Sequence, residues 1–229
     1  MRSKVQLLST GPLSDSITGQ AREKGIDIDI SSFIKVSAIA NEQLKWEIIS
    51  LPQRPTVVFT SVHAVRAVYD IDAHHRQDWK IYCIGNATKN AVSAYPNTSI
   101  CGTADDAAAL AEVIKNDGVS NVVFFCGDKR MDTLPYSLQQ AGIIVKEIVV
   151  YATEETAQKI YKEYVGILFF SPSGVRSFFS INKIPVHTLL FAIGHTTAAA
   201  IKQYSNNEVI IAENPSKELL VQKAINYFS

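Results

Sequence analysis

The stretch Val57-Val58-Phe59-Thr60-Ser61-Val62-His63-Ala64-Val65-Arg66 occurs a second time, in register, as Ile167-Leu168-Phe169-Phe170-Ser171-Pro172-Ser173-Gly174-Val175-Arg176. Phe, Ser, Val and Arg recur at matching positions. Each copy begins as a short continuous apolar run, the pattern of a strand covered on both faces. Each then reaches a serine, a favoured helix cap, and continues as helix-forming sequence. Both copies therefore predict a strand that ends where a helix starts.

The likeness extends outward. Ile84-Gly85-Asn86-Ala87-Thr88 returns as Ile193-Gly194-His195-Thr196-Thr197, and Ala91 and Tyr95 return as Ala200 and Tyr204. Val5–Phe33 resembles Val122–Val150, with Gly25 matching Gly142 where a left-handed residue would end a helix. One unit is about half the chain, which argues for two related domains and against a solenoid of short repeats.

Further strands are expected at Lys4–Leu8, Asp27–Phe33, Thr56–Thr60, Lys80–Ile84, Thr98–Cys101, Asn121–Cys126, Ile143–Tyr151, Gly166–Phe170, Thr188–Ile193 and Glu208–Ile211. Helices are expected at Leu13–Lys24, Val62–Tyr69, Ala87–Tyr95, Ala104–Asn116, Asp132–Ala141, Pro172–Ser180, Thr196–Tyr204 and Ser216–Phe228. Strands alternating with helices predict α/β layers with parallel sheets. The extended segments near 33–39 and 146–153 suit paired crossovers. One domain would then be discontinuous, 1–35 plus 153–229, around a second domain at 36–152.

Composition narrows the function. The 229 residues are 47% hydrophobic and 19% charged, which suits a packed core and not a disordered chain. Lys plus Arg and Asp plus Glu both total 22, so the basic excess of a nucleic-acid binder is missing. No apolar run approaches the ~18–20 residues that cross a bilayer. The N-terminus runs directly into strand-like sequence, unlike a signal peptide. Cys83, Cys101 and Cys126 have no CxxC spacing, so neither a disulfide framework nor a zinc site is expected. A soluble cytoplasmic protein without nucleic-acid or membrane partners is the simple expectation. His74-His75, beside Arg76 and Asp78, have no third ligand nearby in sequence, so no metal is expected. GxGxxG, P-loop, GxSxG and HExxH motifs are all missing.

What remains is a set of repeated corners. Thr60 and Ser61, and Ser171 with Ser173 and Gly174, lie at strand-to-helix junctions. So do Gly85 with Thr88, and Gly194 with Thr196 and Thr197. Such corners cap helices in any protein. Repeated across two domains, they place amides and hydroxyls at the carboxyl ends of strands, where open α/β sheets bind ligands and helix N-termini favour anions. A polyanionic ligand would suit them without a net positive protein. His63 and His195 stand at repeated helix starts, where ligand contact and capping are both open readings. Gly127-Asp128-Lys129-Arg130 is a turn with cations before a helix, either a solvated loop or a carboxylate contact. Gly102-Thr103-Ala104-Asp105-Asp106 reads as the start of a helix with acids in its first turn. Tyr151 closes the apolar run from Ile143, as a half-buried strand residue or as a phenol facing a cleft.

Taken together these motifs resemble the uroporphyrinogen-III synthase family over nearly the whole chain. The resemblance is carried by Phe59-Thr60-Ser61-x-x-Ala64-Val65, Ile84-Gly85-x-x-Thr88, Phe169-Phe170-Ser171-Pro172-Ser173-Gly174-Val175, Ile193-Gly194-x-Thr196-Thr197-Ala198 and Val150-Tyr151-x-Thr153. The run from Gly127 through Leu134-Pro135 and Leu138 to Gly142 belongs to it as well. It implies two flavodoxin-like α/β domains joined by a two-stranded linker, with a cleft between them. It implies that hydroxymethylbilane, a linear tetrapyrrole with eight carboxylates, loses water, inverts its last ring and closes to uroporphyrinogen III without a cofactor or metal. Tyr151 matches the family's tyrosine and is implied as general acid, or as the group orienting the leaving hydroxyl. Thr60, Ser61, His63, Gly85, Thr88, Gly127, Lys129, Ser171, Ser173, Gly174, Gly194, Thr196 and Thr197 are implied to hold the substrate. A monomer receiving hydroxymethylbilane by transient hand-over from its synthase is expected. Three places depart from the family: the end of the first strand, Leu8-Ser9-Thr10-Gly11-Pro12, where an arginine is frequent, His63 where Asn is frequent, and His195 where Pro or an acid is frequent. The alternative is a non-catalytic protein whose two lobes bind a small ligand.

Overall fold

A computed structural model describes residues 5–71, 78–96 and 98–229. The chain divides into two units, Met1–Lys35 with Glu154–Ser229, and Val36–Thr153. Unit 1 begins with β1 (Val5–Ser9), α1 (Asp15–Glu23) and β2 (Ile26–Ile30). After unit 2 it resumes with β9 (Gly166–Phe169), α7 (Pro172–Phe179), β10 (Leu189–Ala192), α8 (His195–Lys202), β11 (Val209–Ile211) and α9 (Lys217–Phe228). Its sheet is ordered β11-β10-β9-β1-β2 and the pairs are parallel.

Unit 2 holds α2 (Glu42–Ile49), β4 (Thr56–Phe59), α3 (Val62–Ile71), β5 (Lys80–Ile84) and α4 (Gly85–Ser93). It continues through β6 (Ser99–Ala104), α5 (Ala107–Asn116), β7 (Asn121–Gly127), α6 (Thr133–Gln140) and β8 (Ile144–Glu155). Its sheet runs β3-β8-β7-β4-β5-β6, where β3 is Ile34–Ala38. β3 and β8 carry the chain between the units. The Thr156 N–H donates to Phe33 O and the Ile39 N–H to Val150 O, so partner numbers fall as chain numbers rise and the pairing is antiparallel.

The internal repeat is visible in the topology. Replacing β7, β8, β4, β5 and β6 by their repeat counterparts β1, β2, β9, β10 and β11 turns one sheet order into the other. Gly25 and Gly142 both take φ 77°, the left-handed turn expected after a helix. Phe59 and Phe169, at matching positions, are both fully buried, each worth about 1.5–3 kcal/mol of burial. Both units are doubly wound. In unit 1, α1 and α9 pack on one face and α7 and α8 on the other. In unit 2, α5 and α6 take one face and α2, α3 and α4 the other. Successive connections therefore leave for opposite faces between β1 and β9, and between β7 and β4.

Two expectations change. Gly102-Thr103-Ala104 is strand, and the helix starts at Ala107, capped by Asp106 through its bond from the Ala109 N–H. The pairing of β5 and β6 shifts register after Ile81, which brings Gly102 opposite Tyr82. A Cβ on Gly102 would lie 2.9 Å from the Tyr82 ring and 2.7 Å from Val113, so that glycine serves packing. The helix α2, capped by the Asn41 side chain, was not anticipated.

Candidate active site

The carboxyl ends of β8, β7, β4 and β5 form one edge of unit 2. Tyr151 sits there on β8, paired with Gly127 at the end of β7. Its ring lies directly over that glycine. The turn after β7 is closed by the Arg130 N–H donating to Gly127 O, and it is tied to β8 twice. The Asp128 N–H donates to Tyr151 O, and the Asp128 carboxylate accepts from the Thr153 N–H at 2.8 Å.

Ser61 follows β4 and caps α3, accepting from the His63 N–H at 3.1 Å. The same hydroxyl lies close enough to the Tyr151 phenol to favour its anion. The His63 ring lies 5.7 Å from the Tyr151 ring, tilted by 48°. Burial pushes the Tyr151 pKa above the ordinary phenol value, and the Ser61 hydroxyl only partly offsets this. The phenol therefore keeps its proton at neutral pH while a hydroxyl stands ready to stabilise its anion. That is the state a proton donor needs.

Gly85 opens α4 at φ 70°, a conformation that requires glycine, and no side chain caps that helix. Thr88 is 5% exposed, on the inward face of α4. Lys129 is exposed on the turn after β7. The Arg130 guanidinium is bonded to Glu147 and Asp132, so its charge is already matched. Cys126 precedes Gly127, and burial pushes its thiol up to about 11, which leaves it a poor nucleophile.

The equivalent edge of unit 1 has the same build with different side chains. Ser171 caps α7, accepting from the Gly174 N–H at 3.1 Å, and Pro172 takes the first helical position. A Cβ on Gly174 would meet Ser171 Oγ at 3.3 Å and Thr10 Oγ1 at 3.9 Å, so the corner is tightly packed. Ser173 accepts from Arg176, whose guanidinium also donates to Glu155. Gly194 caps α8 with extended backbone, and a Cβ there would meet nothing within 4 Å. Its first-turn amides have no side-chain cap. Thr196 is exposed beside them, whereas Thr197 is 1% exposed. Ser9 and Thr10 are buried, and their hydroxyls donate to Gly11 O and Leu168 O. They point into the fold, so they do not stand in for an arginine on its surface. Thr60 is half-buried between β4 and Ser61.

The structure thus brings Tyr151, Ser61, His63 and Gly127 together within unit 2. It gathers Ser171, Ser173 and Gly174 at one corner of unit 1 and Gly194 with Thr196 at another. The seating of Tyr151 on Gly127 was not read from sequence. The signal was present, because Gly127 is where the run of bulky residues in Asn121–Cys126 stops. Among the described residues no group of His, Cys, Asp or Glu is placed to hold a metal ion. His74-His75-Arg76 lies outside the described residues.

Comparison with known proteins gives three findings. The family model described as Uroporphyrinogen-III synthase HemD matches residues 15–222. The uroporphyrinogen-III synthase of Saccharomyces cerevisiae is 25% identical, over 62% of this chain and 62% of that protein. The chain thus matches somewhat under two thirds of that relative's length. Among solved structures, uroporphyrinogen-III synthetase from Helicobacter pylori superposes with a TM-score of 0.70 at 14% identity, covering 97% of this chain and 99% of that one. A mutant uroporphyrinogen III synthase from the extremely thermophilic bacterium Thermus thermophilus gives 0.64 at 11% identity, covering 97% and 98%. At such identities these two structures speak for the fold.

Proposed function

The chain belongs to the uroporphyrinogen-III synthase family, and from that membership we propose that it converts hydroxymethylbilane to uroporphyrinogen III. The observation that carries the proposal is the seating of Tyr151 over Gly127, within reach of Ser61 and His63, at the carboxyl edge of a parallel sheet. Membership favours this reading over a non-catalytic binding protein.

In the proposed reaction Tyr151 donates its proton to the terminal hydroxyl of hydroxymethylbilane. The carbon–oxygen bond breaks and water leaves. The Ser61 hydroxyl steadies the resulting phenolate. The electrophilic carbon then bonds to the α-carbon of the last pyrrole that already carries a methylene. That pyrrole–methylene bond breaks and the methylene rejoins at the pyrrole's free α-carbon, which inverts the ring as the macrocycle closes. The proton given to the hydroxyl is matched by the one released when that pyrrole regains its aromaticity. Each unit offers amides and hydroxyls to the eight carboxylates. In unit 1 these are the uncapped start of α8 with Thr196, and the corner of Ser171, Ser173 and Gly174. In unit 2 they are the uncapped start of α4 at Gly85, with Lys129 on the same edge after β7, two strands away. Thr88 and Thr197 back these corners from within. Holding the substrate folded supplies much of the acceleration, because ring closure then becomes a reaction between groups already in place.

We further propose that the protein works as a monomer in the cytoplasm, with hydroxymethylbilane passed to it from the synthase that makes it. The buried thiols of Cys83 and Cys126 suit a reducing compartment. Short transit suits a substrate that closes spontaneously to the wrong isomer. The test follows hydroxymethylbilane, generated in place by its synthase, with and without the chain. Consumption faster than spontaneous closure supports the proposal, and an unchanged rate rejects it.

A further inference from the structure

We propose that Lys217 is the cation with which unit 1 receives a carboxylate of the substrate, at the crevice between the ends of β1 and β9. The inference rests on the function proposed above and adds a residue to it. Lys217 is the first residue of α9, and its side chain lies along the carboxyl edge of the sheet. Its Nζ donates to Pro12 O at 3.0 Å and stands 5.2 Å from the centre of the Phe170 ring. Pro12 belongs to the connection leaving β1 and Phe170 to the connection leaving β9. These connections depart to opposite faces, which is where open α/β sheets take their ligands.

An ammonium has three N–H donors. The Pro12 carbonyl takes one, and the ring face attracts the charge without accepting a conventional hydrogen bond. The nearest acidic neighbour in sequence, Glu218, accepts instead from the Ser216 hydroxyl at 2.8 Å. Among the described residues no carboxylate forms an ion pair with Lys217. Burial accordingly holds its pKa below the ordinary lysine range, with Glu218 only partly offsetting this. A part-buried cation without a counter-ion is costly, and a substrate carboxylate would complete it. The ring beneath the stem is held in place, since a Cβ on Gly11 would lie 3.2 Å from Phe170.

The internal repeat gives Lys217 a matching position in unit 2. Ser216 caps α9 through the Leu219 N–H as Asp106 caps α5 through the Ala109 N–H, so Lys217 stands where unit 2 has Ala107. In unit 2 the corresponding loop has a lysine in its own sequence, Lys129. The repeat counterpart of Lys129 is Pro12, which has no charge to offer and holds the Lys217 ammonium by its carbonyl. The loop after β7 thus carries a lysine of its own, and the loop after β1 receives one from α9.

Lys217→Met keeps the apolar stem on Phe170 and removes the charge. With hydroxymethylbilane made in place by its synthase, KM should rise about tenfold, the loss expected of one charge-assisted bond. The kcat should stay within about twofold. The thermal midpoint should be unchanged or raised, and Lys217→Arg should restore most of the KM. Lys217→Gln, able to bond Pro12 without charge, should match the methionine variant. An unchanged KM in the methionine and glutamine variants would overturn the assignment. So would a lowered thermal midpoint that arginine does not repair, because that marks a structural lysine. Failure of the unmutated protein to form isomer III would instead overturn the function itself, and this assignment with it.

Discussion

The Tyr151 ring occupies the space that a side chain on Gly127 would need: a Cβ there would lie 2.4 Å from Cε2, 2.5 Å from Cζ and 2.8 Å from the phenol oxygen. Gly127 does not take positive φ, so the backbone itself would accept alanine. Gly127→Ala should therefore leave unit 2 folded and push Tyr151 off its seat. Its kcat should fall at least as far as that of Tyr151→Phe, for which a lost general acid predicts about a hundredfold. Steady-state kinetics on both variants check this. Near-normal turnover in Tyr151→Phe would remove the general acid from the account.

Ser61→Ala separates capping from chemistry. Loss of the α3 cap should cost about 1 kcal/mol of stability. Loss of the hydroxyl beside the phenol should raise the Tyr151 pKa further, because that hydroxyl is what lowers it. The kcat should drop by about tenfold, since one hydroxyl that steadies the phenolate is gone. Ultraviolet titration of the phenolate, with Tyr151→Phe as the blank, reads the shift.

Thr10→Val tests whether the first strand's hydroxyls serve the fold. Thr10 is 3% exposed and donates to Leu168 O at 2.8 Å, tying β1 to β9. The substitution should cost about 0.5–1.5 kcal/mol and leave KM unchanged. Urea denaturation should show a lower midpoint with the same slope.

Asp29 makes the stability of unit 1 sensitive to acid. Its carboxylate accepts from Lys162 and Tyr164, which anchor the 156–165 segment to β2. The Lys162 bond holds its pKa below the usual carboxylate value, against burial, which raises it. A carboxyl lowered in the folded state stabilises the protein above its unfolded pKa of about 3.9, and that contribution is lost as pH falls through the folded value. Asp29→Asn should weaken the fold near neutrality and flatten the decline of thermal midpoint below about pH 4. An unchanged acid limb in the variant would contradict this.

Much of the fold was legible because the strands are covered on both faces. Gly166–Phe169 is buried throughout, and such runs are written as unbroken apolar sequence. The repeat then supplied the pairing of elements between units. The helix α2 was harder to read. Leu44 and Ile48 share its buried face, but Trp46 and Ile49 are apolar and exposed, at 68% and 42%, which blurs the period. In unit 1 the corresponding cover comes from the irregular segment holding Ile160 and Tyr164, so the repeat gave no hint of a helix. Gly102 misled because a glycine fitted under Tyr82 looks like one placed for a turn. For the candidate site, the corners at Ser61 and Ser171 were readable as helix caps. Their local partners were not. The approach of Ser61 to Tyr151 and the bond of Lys217 to Pro12 join residues far apart in sequence, and only the sheet order brings them together.

The isomer composition of the product tests the central claim most directly. Hydroxymethylbilane is generated in place by its synthase, the products are oxidised, and isomers I and III are separated. Without the chain, spontaneous closure gives isomer I. With it, isomer III should be the main product from the earliest time points. Isomer I alone, formed at the spontaneous rate in the presence of the folded protein, would contradict it.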